Sequence, residues 1–351
     1  MSSAPGPSRK RTRTEDGGGD ATRNPPISSI QRDEDVWLSD GNIVIVAADT
    51  MAFRVHKSIL SLRSEVFRDL FLLPNADAAT METMDGCPVV RVSDSPDDIR
   101  RLFLVLCCGK NYYYDGDALV AVPFEVLASL IRMGHKYALQ DILDHALSRL
   151  KKYYTNDLSA WKDPESRARY VTATDDDAPT VVTLGRLTNT PSLLPTALLV
   201  CTEIAADYWE ESDGSIVSRI ASLPVSDQLQ LTAAKASLAE ACATRPLRLL
   251  ASVPCPGCMR SAFCRAAREA PLDALRDRDV LPSFSDHNAL KPVAETFWGD
   301  VHWRRLCANC REVLLEIDEI EIKVLWGSLP DIFALGLDKD TWQSGSAGTG
   351  Q

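Results

Sequence analysis

Apolar and polar residues follow regular patterns over the first third of the chain. Two short apolar runs, at 43–46 and 51–55, flank the turn-forming residues 47–50, and this pattern predicts a β-hairpin. Residues 58–73 repeat apolar side chains at helical spacing and end before a proline, which predicts a helix. A further apolar run at 88–92 predicts a strand.

Three more helices are predicted before residue 155. The first, at 96–108, begins with a proline followed by acidic residues, as helix N-termini commonly do. Residues 123–137 and 139–154 are predicted to form a helical pair, and apolar side chains recur in the second with a period near 3.6 residues. Together these elements predict an α+β domain over residues 35–154.

Beyond this domain the sequence predicts two further regions. Residues 158–251 carry three helix candidates and are expected to form a helical extension. Residues 252–337 are expected to form a small cysteine-containing C-terminal module. Within that module the apolar spacing at 313–324 is typical of a helix, although its last residues, 320–324, also alternate as a strand does.

Two tails are predicted to lack stable structure. Residues 1–34 are rich in Ser, Pro, Gly and charge and are expected to be disordered, because so few apolar groups cannot offset the entropy of ordering. Residues 338–351 are expected to be flexible as well. A basic run at 9–13 is interpreted either as part of a solvated tail or as a nuclear-import signal.

Composition narrows the class of protein. The chain has 351 residues with a formal net charge of −11, so it lacks the concentrated positive charge that nucleic acids or anionic membranes attract. It also lacks an apolar stretch long enough to span a bilayer and a hydrophobic signal-peptide core. Its ten cysteines are therefore expected to meet a reducing compartment, which predicts an intracellular protein, cytoplasmic or nuclear.

Several spaced motifs resemble one known family. The sequence FRVHKSIL at 53–60, SEVFRDLF at 64–71 and MGHKY at 133–137 together resemble the signature of the BTB/POZ domain. The resemblance implies a helical cluster capped by a small β-sheet, with His56 at a strand-to-helix corner holding backbone groups. It also implies that Phe67, with its neighbours Leu70 and Phe71, fills the core.

Further motifs resemble a narrower group within this family. Residues 85–89, residues 193–197 and the pair Cys307 and Cys310 resemble the expanded BTB proteins of mushroom-forming (basidiomycete) fungi. The resemblance as a whole implies a protein–protein interaction module that acts as a non-catalytic adaptor or scaffold. The implied partners are a second copy of the chain or a cullin-type ubiquitin ligase, for which the chain would be a substrate adaptor.

Specific residues are expected to contact partners. Lys57 occupies the basic position that, in repressor relatives, pairs with an acid on the first strand. The best alignment places Asn42 at the acidic position, with Asp35 and Asp40 as alternatives, so a charged pocket is expected to be incomplete. The tyrosine run, composed of Tyr112, Tyr113 and Tyr114, is interpreted either as an exposed contact or as a loop packed on its own core.

Four cysteines have the spacing of metal ligands. Cys255 and Cys258 form one C-x-x-C pair, and Cys307 and Cys310 form a second. Two thiols separated by two residues can reach one tetrahedral ion, and the second pair begins a predicted helix. We therefore predict one structural zinc ion, with buried unligated thiols as the alternative interpretation. Three further residues are candidates to replace one of these four cysteines as a ligand: Cys264, His287 and His302.

The basic run at 9–13 and this zinc module together support a second functional interpretation, a nuclear transcription-associated regulator. No catalytic class fits the sequence. It contains neither the Gly-x-Ser-x-Gly nucleophile motif nor a His-Glu-x-x-His zinc motif, and it has no P-loop. We therefore predict that the protein is not an enzyme.

Overall fold

The computed structural model describes residues 25–72, 82–110, 120–207, 220–276, 289–338 and 342. The chain divides into two compact units, both of them discontinuous in sequence. The first comprises Met1–Lys57 and Pro74–Pro96, and the second comprises Ser58–Leu73 and Asp97–Gln351. Strands dominate the first unit and helices the second, which confirms the α+β class.

The first unit is built on a five-stranded sheet. Its strands are β1 (Gln31–Trp37), β2 (Ile43–Ala47), β3 (Met51–Val55), β4 (Thr83–Met84) and β5 (Cys87–Val92). They are arranged in the order β1-β3-β2-β5-β4. The β2–β3 and β4–β5 pairs are antiparallel, whereas β1–β3 and β2–β5 are parallel.

The predicted hairpin is present between β2 and β3. Ala48 and Asp49 both have positive φ angles, 44° and 57°, as the central residues of the tight turns favoured in hairpins do. The register pairs Ile45 with Phe53, and both side chains are fully buried. All five residues of β2 are buried, which explains why the strand is a continuous apolar run.

The strand β1 corrects the predicted N-terminal tail. Disorder was expected through residue 34, yet β1 begins at Gln31 and pairs with β3. Its charged composition concealed the strand, because the carboxylate of Asp33 is buried and accepts the backbone N–H groups of Asp35 (3.0 Å) and Val36 (2.8 Å). These hydrogen bonds satisfy the buried charge, so a polar segment can belong to the sheet.

Five α-helices lie in the described residues of the BTB-like part of the second unit. They are α1 (Lys57–Arg63), α2 (Glu65–Leu70), α3 (Pro96–Leu106), α4 (Phe124–Lys136) and α5 (Gln140–Tyr153). The first residues of α1 and α3, Lys57 and Pro96, still belong to the first unit. The helical pair predicted at 123–137 and 139–154 is α4 and α5. Gly134 allows them to approach closely, since a Cβ atom at this position would lie 3.2 Å from the Cβ of Leu143.

The single helix predicted at 58–73 is two helices, because Ser64 interrupts it. Ser64 adopts an extended conformation and its hydroxyl accepts the N–H of Phe67 at 3.1 Å, which makes it the N-cap of α2. The same hydroxyl donates to the carbonyl of Tyr137 at 2.6 Å. A buried serine with both bonds satisfied therefore overrides the helical spacing of its neighbours.

The regular elements described in the rest of the chain are helices, apart from a short parallel pair formed by β6 (Val122–Pro123) and β7 (Val171–Thr172). The extension contains α6 (Leu158–Trp161), α7 (Pro164–Ala168), α8 (Ala178–Leu187), α9 (Leu194–Asp207) and α10 (Val225–Ala251). The C-terminal module contains α11 (Ser261–Arg276), α12 (Ala294–Arg305) and α13 (Ala308–Ile332). Residues 313–324 therefore belong to a helix, and the alternative of a strand at 320–324 is wrong.

The predicted C-terminal tail also needs correction at one residue. Trp342 is 1% exposed and its ring lies 5.4 Å from that of Trp326, centre to centre. Its indole N–H donates to the carbonyl of Trp326 at 3.1 Å, and its own carbonyl accepts from Asn156 at 2.9 Å. The buried ring of Trp342 and the hydrogen bond of its indole N–H hold this residue in place. The predicted flexibility therefore does not extend over all of residues 338–351.

Candidate functional site

Three segments of the C-terminal module carry the cysteines. Cys255 and Cys258 lie in the turn between α10 and α11, where the N–H of Cys258 donates to the carbonyl of Cys255 at 3.1 Å. Cys264 lies in the first turn of α11. Cys307 is the N-cap of α13, and Cys310 lies in the first turn of that helix.

The sulfur atoms of four cysteines converge. The Sγ atoms of Cys258, Cys264, Cys307 and Cys310 all lie within 4.8 Å of one another, in an arrangement that could hold a metal ion. The Sγ atoms of Cys258 and Cys307 are 3.8 Å apart. Two thiolates bound to one tetrahedral zinc ion, at Zn–S distances of about 2.3 Å, would be separated by roughly 3.8 Å. The donor set and the spacing of this pair therefore fit zinc.

The backbone holds this arrangement in place. The N–H of Cys307 donates to Sγ of Cys264 at 3.3 Å, and the N–H of Cys255 donates to Sγ of Cys310 at 3.5 Å. The side chain of Asn309 donates to the carbonyl of Gly257 at 2.8 Å, which joins the turn to the start of α13. Each contact links two of the three cysteine-bearing segments.

The thiols differ in acidity. Burial raises the pKa of Cys307, but the nearby backbone N–H groups of Cys310 and Met259 and the thiols of Cys310 and Cys264 more than offset it, so the pKa is about 6. Burial instead raises the pKa of Cys264 and that of Cys310 above the ordinary value for a thiol. Binding of a cation by Cys264 and Cys310 as thiolates would therefore release protons.

The structure brings three of the four predicted ligands into the group of converging sulfur atoms. Cys258, Cys307 and Cys310 of the predicted set belong to the mutually close group, whereas Cys255 does not, although its Sγ is 3.5 Å from that of Cys310. Cys264, a substitute ligand in the sequence interpretation, takes the fourth position. No C-x-x-C partner marks Cys264, so only its place shortly after Cys258 pointed to it.

Of the two histidines considered as substitutes, only His302 is described, and it is not part of this group. His302 is half-buried, and its Nδ1 atom has no hydrogen-bond partner within the part of the chain that the structure describes. His287 lies outside the described residues. Four thiolates around one ion would leave no open coordination position, so the arrangement suits a structural role rather than catalysis.

The corner between β3 and α1 contains the other predicted contact residues. His56 lies between the two elements, as expected, and its Nε2 atom is 3.2 Å from a carboxylate oxygen of Asp40. Asn42 accepts the backbone N–H of Lys57 at 2.8 Å through its side-chain oxygen. An amide therefore takes the position next to the basic residue, as the alignment indicated, and Asp40 pairs with His56.

The family comparison covers this part of the chain. Residues 38–153 match the family model of the BTB/POZ domain. The chain contains a BTB/POZ domain. Comparison with curated proteins gives no match. BTB/POZ domains are non-catalytic modules for protein–protein interaction and dimerisation.

The BTB/POZ domain has exposed apolar side chains on α1, on α2 and just after α2. Leu62 is 86% exposed, Leu72 is 72% exposed and Val66 is 39% exposed. Singly exposed apolar residues are common, but three within eleven residues of an interaction domain indicate a contact surface. We refer to Leu62, Val66 and Leu72 as the α1–α2 surface. The predicted contacts Tyr112, Tyr113 and Tyr114 lie outside the described residues.

Among the residues that the structure describes, none of the helices is both long enough and apolar enough to cross a bilayer.

Proposed function

We propose that this protein is a non-catalytic adaptor or scaffold, in which the BTB/POZ domain recruits a protein partner and a structural zinc ion stabilises the C-terminal module. The α1–α2 surface is the observation that carries the first part. Large apolar side chains that remain exposed in a folded domain gain about 1.5–3 kcal/mol each when a partner covers them fully. The converging thiols carry the second part.

Charged residues next to this surface suit the polar rim of an interface. The side chain of Arg63 forms an ion pair with Asp141. Arg68 lies 3.5 Å from a carboxylate oxygen of Glu65. Protein interfaces typically combine an apolar centre with such a polar, solvated rim. This composition favours a protein partner, and the partner is either a second copy of the chain or a cullin-type scaffold.

The same proposal includes the fungal origin of the protein and its location in the cell. The resemblance of residues 85–89 and of the pair Cys307 and Cys310 to BTB proteins of mushroom-forming fungi supports a fungal origin. An intracellular location, cytoplasmic or nuclear, follows from ten cysteines that are expected to stay reduced. All ten are free thiols in the structure.

Site-specific photo-crosslinking in cells tests the adaptor function. A photoreactive phenylalanine derivative replaces Leu62 or Leu72, and the matched control carries it at Leu229, which is 65% exposed on α10. We expect the first two positions, but not the control, to crosslink to discrete proteins, identified by mass spectrometry. Equal crosslinking at all three positions, or none at residues 62 and 72, would contradict the proposal.

Measurements on the purified chain then separate the two partner classes. Light scattering gives the mass of the full chain, and a binding assay with a purified cullin tests the second class. Whether the partner is a second copy of the chain or a cullin, Leu62→Asp is expected to weaken its binding at least tenfold. A charge at the apolar centre of an interface costs binding free energy. Leu229→Asp is the control and is expected to leave it unchanged.

A further inference from the structure

The C-terminal module contains five cysteines, and a tetrahedral ion accepts only four of them. We propose that Cys258, Cys264, Cys307 and Cys310 bind one zinc ion as four thiolates, and that Cys255 supports the site without binding the metal. This inference rests on the zinc module of the proposed function and names its ligands. It departs from the two C-x-x-C pairs that the sequence suggests.

The sulfur positions favour this set of four. One point can be equidistant from four atoms at bonding distance only if all of them are mutually close, and only these four satisfy that condition among the described residues. Their sulfurs come from the turn before α11, from α11 itself and from the start of α13. An ion at their centre would therefore tie the turn and α11, which are adjacent in sequence, to the start of α13, which is distant from both.

Hydrogen bonding separates the roles of Cys255 and Cys264. The sulfur of Cys264 accepts the backbone N–H of Cys307 at 3.3 Å, and an N–H donor stabilises the charged form of a thiolate ligand. Cys255 contributes its own backbone N–H to the sulfur of Cys310 at 3.5 Å. Cys255 is thus a positioning residue that acts through Cys310, and any side chain at this position would keep its main-chain contact.

Burial and ligand chemistry favour zinc in this set. Cys264, Cys307 and Cys310 are each 5% exposed or less, within a core that includes Trp298 and Leu314. Thiolates select soft or borderline cations such as zinc over magnesium or calcium. This core would also tolerate a neutral thiol, so burial alone does not distinguish a metal ligand from a packed side chain. The mutual closeness of the sulfur atoms makes that distinction, and among the described residues only the set of four has it.

Metal content of the full chain, purified under reducing conditions, tests the ligand set. We expect one zinc per chain in the unaltered protein, in Cys255→Ser and in Cys108→Ser, a control at an exposed thiol outside the module. Cys264→Ser is expected to lower zinc affinity more than about 100-fold, beyond the range typical of supporting residues. Loss of zinc in Cys255→Ser with retention in Cys264→Ser would overturn the ligand set.

X-ray absorption of the bound zinc distinguishes loss of a ligand from loss of the fold. The unaltered protein and Cys255→His should show four sulfur neighbours, whereas Cys264→His should show three sulfurs and one nitrogen. Four sulfurs in Cys264→His would refute the role of Cys264 even if both variants fold. Absence of zinc from the unaltered protein, after purification and after addition of zinc, would instead refute the zinc module itself.

Discussion

The BTB/POZ domain and the C-terminal module bury their centres in different ways. At the centre of the BTB/POZ helices, the ring of Phe67 stacks on that of Tyr137 with centroids 4.1 Å apart, and the rings of Phe71 and Phe103 lie within 6.2 Å. At the centre of the C-terminal module, sulfur atoms occupy the equivalent place, and apolar residues surround them.

This difference predicts that the stability of the C-terminal module depends on a bound metal ion and that the stability of the BTB/POZ domain does not. Aromatic packing requires no bound ion, because its free energy comes from the removal of apolar surface from water and from dispersion. Converging thiols gain little from one another, and they hold three segments together strongly only when a cation binds them. Apparent binding free energies of about 10–16 kcal/mol are available from structural zinc. The BTB/POZ domain should therefore keep its fold under conditions in which the C-terminal module loses it.

Truncation of the central ring should affect the BTB/POZ domain most among single substitutions. Phe67 is fully buried, so Phe67→Ala should lower the free energy of unfolding of this domain by about 3–5 kcal/mol. Urea unfolding followed by hydrogen exchange of α4 and α5 peptides measures this loss. The adjacent Val66→Ala, at a partly exposed site, is the control and should cost less than about 1 kcal/mol.

The same variant sharpens the comparison between the two regions. Phe67→Ala should leave the zinc content and the exchange rates of α11 and α13 unchanged, because the thiol cluster does not use this ring. A parallel loss of zinc would show that the two regions depend on each other. It would remove the basis for treating their stabilities as separate.

A smaller effect is expected from an ion pair between a buried carboxylate of α3 and a half-buried arginine of α4. Asp98 is 8% exposed and accepts two hydrogen bonds from Arg132, at 2.8 and 3.1 Å, and a third from Ser129. Burial raises the pKa of Asp98, but the bonds from Arg132 and Ser129 outweigh it, so the pKa lies below its usual value of 3.8. Asp98→Asn should cost about 1.5–3 kcal/mol at pH 7.

The sign of its pH dependence follows from the lowered pKa. The stabilisation by Asp98 is complete above the carboxyl's ordinary pKa and is lost as the pH falls through the lower value of the folded state. The difference in unfolding free energy between wild type and Asp98→Asn should therefore be constant near neutral pH and shrink below pH 4. An undiminished difference at pH 2 would show that the charge of Asp98 is not what stabilises the domain.

Sequence patterns located most of the regular elements because their side-chain periods are clear. They placed the β2–β3 hairpin and the α4–α5 pair correctly, and the BTB/POZ resemblance placed the corner at His56. They missed the break at Ser64, where a capping hydroxyl competes with helical spacing, and the strand β1, whose buried Asp33 is satisfied by backbone N–H groups. Local periodicity does not report such polar contacts.

The candidate site was predictable to a similar degree. The spacing of two C-x-x-C pairs identified three of the four converging thiols. Only its place shortly after Cys258 marked Cys264, because its other neighbours in space are distant in sequence. No local pattern marks the anchored Trp342. Their positions depend on how the helices pack, which three-dimensional coordinates alone reveal.

Hydrogen exchange of the full chain, with and without its metal, tests the central claim most directly. Zinc is removed with a chelator under reducing conditions and then added back. We predict that amides of α11 and of the first turns of α13 lose protection by several orders of magnitude and regain it with zinc, while those of α4 and α5 do not change. Unchanged protection around Cys307, or equal loss in α4 and α5, would contradict the account.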